Sequence, residues 1–287
     1  MRVDEILKNK EVTLSFEVFP PKTDAGYEAV SKAAREIAAL KPDFMSVTYG
    51  AGGGNSKNTA KIAADLQNDS GVPVIAHLTC VSSTYEMVKG VIAEYKAKGI
   101  VNILALRGDI PKDGRLAFDY NHATELIREI KSMDDSFCIG GACYPEGHVE
   151  CERQSEDIRH LKEKVDAGCD FLTTQMFFDN STLYQFLYRI REKGIEVPVI
   201  PGIMPITNAS QVGRSVALSG STVPQKMKTM VDRFADEPEK MKEAGIIYAS
   251  DQIIDLIANG VSHIHVYTMN KPDVAAGIMR NIATIIR

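Results

Sequence analysis

At 287 residues, with 44% hydrophobic and 25% charged side chains, the chain has ordinary globular composition and enough length to bury a large core. A net charge of −5 without a long basic tract argues against a general nucleic-acid-binding surface. No stretch approaches the ~20 apolar residues of a membrane span, and the N-terminus lacks the features of a secretory signal, so a cytoplasmic location is expected.

In chain order, short β-type runs fall at 14–19, 44–48, 74–79, 102–106, 137–142, 171–174, 197–200 and 263–267. Their β-branched and aromatic content and turn-forming flanks predict buried parallel strands. Segments with helical apolar spacing lie between them, for example 27–40, 84–98, 152–167 and 183–193. Lys98-Gly99-Ile100, Ala167-Gly168-Cys169 and Lys193-Gly194-Ile195 each place a glycine where a helix stops and the next strand approaches. Eight β-then-α units with right-handed crossovers most readily close into a single (β/α)8 TIM barrel spanning 1–287, rather than a doubly wound open sheet. The stretch 208–260 is too long for one helix and contains Gly220 and Pro224 as breaks. It is expected to hold two or three helices between strands seven and eight.

A barrel carries its active site at the C-terminal strand ends, so the residues just after each run bear the chemistry. In the first run Glu17 shares a strand face with Ser15 and Phe19, which turns a carboxylate into the barrel mouth. Desolvation there raises a carboxylate pKa and suits it to act as an acid; an ion pair across the mouth is the plainer alternative. The second run ends in Thr48, Tyr49 and a glycine-rich stretch, in which Gly50 and Gly52 are followed by Asn55, leaving a G-x-G-x-x-G dinucleotide fingerprint incomplete. The third brings His77, which also suits a hydrogen-bonded core position. The fourth ends Arg107-Gly108-Asp109: a cation, a carboxylate and a glycine leaving room for a flat ligand, or an ion pair on a turn.

The fifth run leads into Tyr144 and His148, followed by a helix with Asp157, His160 and Lys164 on nearby turns. After the sixth, Gln175 has both donor and acceptor for an amide-like ring edge, or for capping its own loop. In the eighth, His263 and His265 share a face, but no third ligand is evident and no metal site is expected. The five cysteines (Cys80, Cys138, Cys143, Cys151 and Cys169) form no C-x-x-C pair and read as packed thiols.

Together SFEVFPPK, SVTYGAGG, AHLTC, ALRGDIP, YPEGH, LKEKVDAG, TTQMFFD, PGIMPITN and HVYTMNK, in this order from Ser15 to Lys271, resemble the methylenetetrahydrofolate reductase family. The resemblance implies a barrel holding FAD across its strand ends, reduced by NADH or NADPH and reoxidised by 5,10-methylenetetrahydrofolate in ping-pong fashion. It implies Glu17 as the general acid that opens the folate ring and Asp109 as the carboxylate that assists this step and tunes the cofactor. Thr48, Tyr49, Ala51, His77, Arg107, Gly108, Tyr144, His148, Asp157, His160 and Lys164 fall where the family contacts FAD, and Asp109 lies beside the flavin. Gln175 matches the pterin contact, and Gln211 and Lys271 match contacts to folate or nicotinamide. Many bacterial members carry arginine at Lys271, and asparagine and arginine at His160 and Glu163; a folate-stacking phenylalanine aligns with Ser215. A homo-oligomer is expected from the resemblance. Two rival readings are a flavin-binding barrel reduced by a partner protein, and a flavin-free pterin-dependent barrel enzyme.

Overall fold

The computed structural model describes residues 1–21, 23–49, 56–110, 114, 117 and 119–286. Helix α1 (Val3–Asn9) precedes β1 (Thr13–Val18), and strands and helices then alternate through α2 (Tyr27–Ala38), β2 (Phe44–Val47), α3 (Ser56–Ser70), β3 (Val74–Thr79), α4 (Tyr85–Ala97) and β4 (Asn102–Leu106). Next come α5 (Ala123–Met133), β5 (Cys138–Cys143), α6 (Gln154–Asp166), β6 (Phe171–Thr174), α7 (Asn180–Glu192), β7 (Val199–Ile200) and β8 (Gly202–Ile203). The chain continues through α8 (Ser210–Ser219), α9 (Gln225–Phe234) and α10 (Pro238–Ala258) to β9 (His263–Tyr267) and α11 (Pro272–Ile282). Among the described residues no helix is long and apolar enough to cross a membrane.

Every strand pairing is parallel, in the order β7-β6-β5-β4-β3-β2-β1-β9-β8. The two ends of that order, β7 and β8, are halves of one stave separated by Pro201, so the sheet closes into a barrel. Proline has no N–H to place in a ladder, which breaks the stave at that point. Its carbonyl still accepts from the His265 N–H at 2.9 Å. The seventh run, expected at 197–200, is thus displaced and cut in two.

Side-chain alternation along the strands sorts the core into two shells. Leu14, Phe16, Val18, Met45, Val47, Val74 and Ala76 pack outward beneath the helices. Phe44, Ile75, Leu104, Cys138, Phe171 and Ile200 fill the lower barrel, where Val3, Ile6 and Leu7 of α1 close the bottom. Burying such an aliphatic side chain stabilises by about 2 kcal/mol. The plug is pinned by the Val3 N–H donating to Asn102 Oδ1 at 2.8 Å. At the helix ends Gly99, Gly168 and Gly194 adopt φ of 69°, 117° and 70°, the conformation the sequence punctuation requires.

Candidate active site

With apolar side chains filling the lower barrel, the polar ones gather at the opposite, C-terminal end around a cavity of about 1020 Å³. Glu17, Thr48, Tyr49, His77, Arg107, Gly108, Asp109, Tyr144, His148, Asp157, His160, Lys164 and Gln175 all line it. Ala51, with the rest of the glycine-rich stretch, lies outside the described residues. Gln211 and Lys271 stand apart from the cavity wall and meet at Thr207. Gln211 Oε1 accepts from the Thr207 and Asn208 N–H groups at 2.7 and 3.0 Å, and Lys271 Nζ donates to Thr207 Oγ1 at 2.8 Å.

Glu17 occupies the floor because strand register places it beside Ser46 on β2 and Tyr267 on β9. Its Oε2 lies 3.4 Å from Ser46 Oγ, 3.6 Å from His77 Nε2 and 3.8 Å from His265 Nε2. His77 is 5% exposed, and its Nε2 has no hydrogen-bond partner although it is buried in the cavity wall. Burial holds the His77 imidazole down at about 4, against the opposing pull of the Glu17 carboxylate and with a smaller depression from His265. It is therefore neutral at neutral pH. His265 is bonded on both sides, Nδ1 to Ser15 Oγ at 2.7 Å and Nε2 to Ser46 Oγ at 3.1 Å, while His263 Nδ1 lies 3.1 Å from Thr13 Oγ1. The paired histidines are thus engaged by strand hydroxyls. Among the described residues no group of three His, Cys, Asp or Glu side chains could hold a metal ion.

On the wall, Arg107 makes a bidentate pair with Glu150, at 2.6 and 2.8 Å. Gly108 has a φ of 85°, and a Cβ there would lie 2.9 Å from Val81 Cγ1 and 3.0 Å from Thr79 Cβ. Its glycine is therefore demanded by the turn and by the neighbouring strand end, a different reason from the room for a flat ligand that the sequence suggests. Lys164 reaches from α6 over Gly141 to donate to the Ala142 carbonyl at 2.6 Å; a side chain at Gly141 would crowd its stem, with Cβ 2.8 Å from Lys164 Cδ. Burial pushes the Tyr144 phenol up to about 12, so it stays a neutral donor, and raises the Asp157 carboxyl, which accepts from the His148 N–H at 3.3 Å. His160 faces Glu163 at 3.4 Å. Gln175 Oε1 accepts from its neighbour Met176 N–H at 2.9 Å, so its acceptor serves its own loop.

One clamp holds the floor in place. The Asn270 side chain accepts from the Phe19 N–H and donates to the Phe19 carbonyl, both at 2.9 Å, prolonging the β1–β9 pairing beyond the strand end. Thr268 Oγ1 donates to the Glu17 carbonyl at 2.7 Å. To reach Phe19 the turn places both Met269 and Asn270 at φ of 55°, a region Asn tolerates better than most residues. Ser15, Ser46, Glu150 and Asn270 are absent from the sequence-level site. Period-two alternation marks the first two as inward-facing, but nothing local reveals the clamp or the partner of Arg107.

A closed β/α barrel with a half-buried carboxylate at the floor of a cavity above its strand ends defines a barrel enzyme. The chain belongs to the methylenetetrahydrofolate reductase family, a family of oxidoreductases, whose profile matches residues 2–283. It is 35% identical over 271 residues to 5,10-methylenetetrahydrofolate reductase of Pectobacterium carotovorum subsp. carotovorum, covering 94% of this chain and 90% of that one. Against the enzyme of the same name from Escherichia coli (strain K12) the identity is 34% over 272 residues, with 95% and 91% covered. The fold is shared with an uncharacterized protein from Clostridium thermocellum that binds two copies of 5-methyl-5,6,7,8-tetrahydrofolic acid. That likeness has a TM-score of 0.68 at 14% identity and covers 99% of each chain.

Proposed function

We propose that this chain reduces 5,10-methylenetetrahydrofolate to 5-methyltetrahydrofolate by a ping-pong cycle, with FAD as its cofactor and NADH or NADPH as donor. The observation that carries this reading, given the family, is the Glu17 carboxylate on the cavity floor within 4 Å of two imidazoles. The residues fit a flavin. The cavity reaches the upper end of ordinary ligand-site volumes, presents the cations Arg107 and Lys164, and contains the buried, unpartnered His77 Nε2 as a group for a ligand to satisfy. Arg107, on releasing Glu150, and Lys164, on releasing the Ala142 carbonyl, would hold the pyrophosphate. Thr48, Tyr49, Ala51, His77, Gly108, Tyr144, His148, Asp157 and His160 contact the rest of the cofactor. When bound, the flavin supplies two-electron chemistry that connects the nucleotide to the folate.

Glu17 gives a proton to the folate nitrogen that leaves the methylene carbon when the five-membered ring opens, and the carbon then receives hydride as an iminium. Asp109 places a negative charge near this developing cation and tunes the cofactor. Gln175 orients the pterin, and Gln211 and Lys271 orient the folate or the nicotinamide.

The test is the visible spectrum of the purified holoprotein under anaerobic conditions, before and after NADH or NADPH and again after methylenetetrahydrofolate. Bleaching by nucleotide and recolouring by folate are expected. A protein that cannot take up FAD would overturn the reading, and a flavin that neither nucleotide bleaches would replace the nucleotide by a protein donor. In Glu17→Gln, flavin reduction should persist while the folate half-reaction falls by about 100-fold or more, the scale of a lost general acid.

A further inference from the structure

We propose that His265 is a positioning residue, locked by Ser15 into its Nδ1–H tautomer, whose role is to keep Ser46 turned so that it accepts a proton-bearing Glu17. The proposal rests on the reading of Glu17 as the proton donor and extends it to three residues behind the cavity floor.

The argument starts at a backbone carbonyl, which can only accept. Ser15 Oγ donates to the Ile264 carbonyl at 2.9 Å, and this commits its one proton. The same oxygen lies 2.7 Å from His265 Nδ1 and there can only accept, so Nδ1 carries the ring proton. In a neutral imidazole Nε2 is then a bare acceptor. Ser46 Oγ lies 3.1 Å from that Nε2 and 3.4 Å from Glu17 Oε2, and has one proton for two acceptors. The ring is the nearer of the two acceptors and takes that proton, which turns a lone pair of Ser46 towards Glu17. A protonated Glu17 completes the chain; an ionised one faces oxygen lone pairs. All three intermediates are sealed from water, with Ser15, Ser46 and His265 at 0, 2 and 3% exposure, so solvent does not supply a substitute partner.

The groups that face this chain do not override it. From β3 comes His77, neutral because burial holds it at about 4. From β9 comes Tyr267, whose ring meets the His265 ring edge-on at 5.5 Å and whose phenol burial holds protonated. Cys143 and Tyr144 stand behind Tyr267 as neutral buried groups. From β2 the uncharged Phe44 ring lies nearly parallel to the His265 ring, with centroids 6.3 Å apart.

The experiment is nitrogen-15 NMR of the holoprotein labelled in histidine, with His265 assigned by loss of its signals in His265→Gln. The expected result at neutral pH is a protonated Nδ1 and a bare Nε2. Ser15→Ala removes the anchor and should move the ring towards the Nε2–H form. In Ser15→Ala the pH at which the folate half-reaction is lost should also fall by about one unit, while flavin reduction by nucleotide keeps its pH dependence. If Ser15→Ala does not fold, Ser46→Ala should shift the folate profile in the same direction while leaving the Nδ1–H form in place. An Nε2–H ring in the unaltered protein, or an unmoved folate profile in the folded variant, overturns the proposal. The ring state is read without substrate. A Glu17→Gln protein that still reduces folate would therefore sink the role of Glu17 while the tautomer stands, and the two failures can be told apart.

Discussion

His77 carries a cost that can be measured. Folded, its imidazole titrates at about 4 because it is buried; unfolded, it returns to the ordinary value of 6.5. Between those values the unfolded chain binds a proton that the folded one refuses, so stability is lost as pH falls from 6.5 towards 4. The total is about 3 kcal/mol at 1.36 kcal/mol per unit. Replacing His77 by Gln should flatten this part of the stability curve by up to one proton, read from denaturant midpoints at pH 7 and pH 5. Equal slopes in the two proteins would reject a neutral, desolvated His77. At this scale the sequence displays the types of residue but not their partners. Glu17 was legible as a carboxylate in an apolar run and the Arg107 to Asp109 trio as a charged strand end. The His263 and His265 pair was legible as two imidazoles on one face, but not its partners, because the hydroxyls of Thr13, Ser15 and Ser46 lie on strands far away in sequence. Glu150 likewise belongs to Arg107 by a contact across 43 positions.

Among the elements, β3, β4, β6 and β9 begin and end where β-branched runs meet turn residues, so composition alone bounds them. The seventh stave escapes that logic because Pro201 sits inside it and the run continues past the proline to Gly202 and Ile203. Helix α1 is seven residues long, too short to show a helical period, and its reason for being is the apolar layer it covers. The turn after β9 is equally invisible in sequence, since an Asn at positive φ that copies a strand edge differs in no local feature from any loop Asn. Asn270→Ala should lose both bonds to Phe19 and add strain at φ of 55°, costing about 2 kcal/mol in denaturant unfolding. Asn270→Gly should recover about half of that loss, because glycine accepts the backbone geometry without the clamp. Identical losses in the two variants would show that the turn is unstrained.

The whole molecule is a ring whose cavity wall draws on nearly every strand end, which is why β/α alternation made the architecture and much of the wall legible together. Gln211 and Lys271 are the exceptions. They follow the seventh and eighth staves as expected, but the structure gathers them on Thr207 beside the cavity. A ring is only as tight as its least-bonded joint. Here that joint is the stave broken at Pro201, where two-residue strands hold β6 on one side and β9 on the other. Amide hydrogen exchange should therefore report breathing at one seam. The Leu172 N–H, bonded to Pro198, and the His265 N–H, bonded to Pro201, should exchange with solvent on the order of 10-fold faster than the Cys138 N–H, bonded to the Val101 carbonyl where β5 joins β4. Uniform protection around the ring would show the joint to be closed. If the seam does open, the barrel yields beside Gln175 and Thr207, and a bulky ligand can be admitted by the parting of a wall as well as through the mouth.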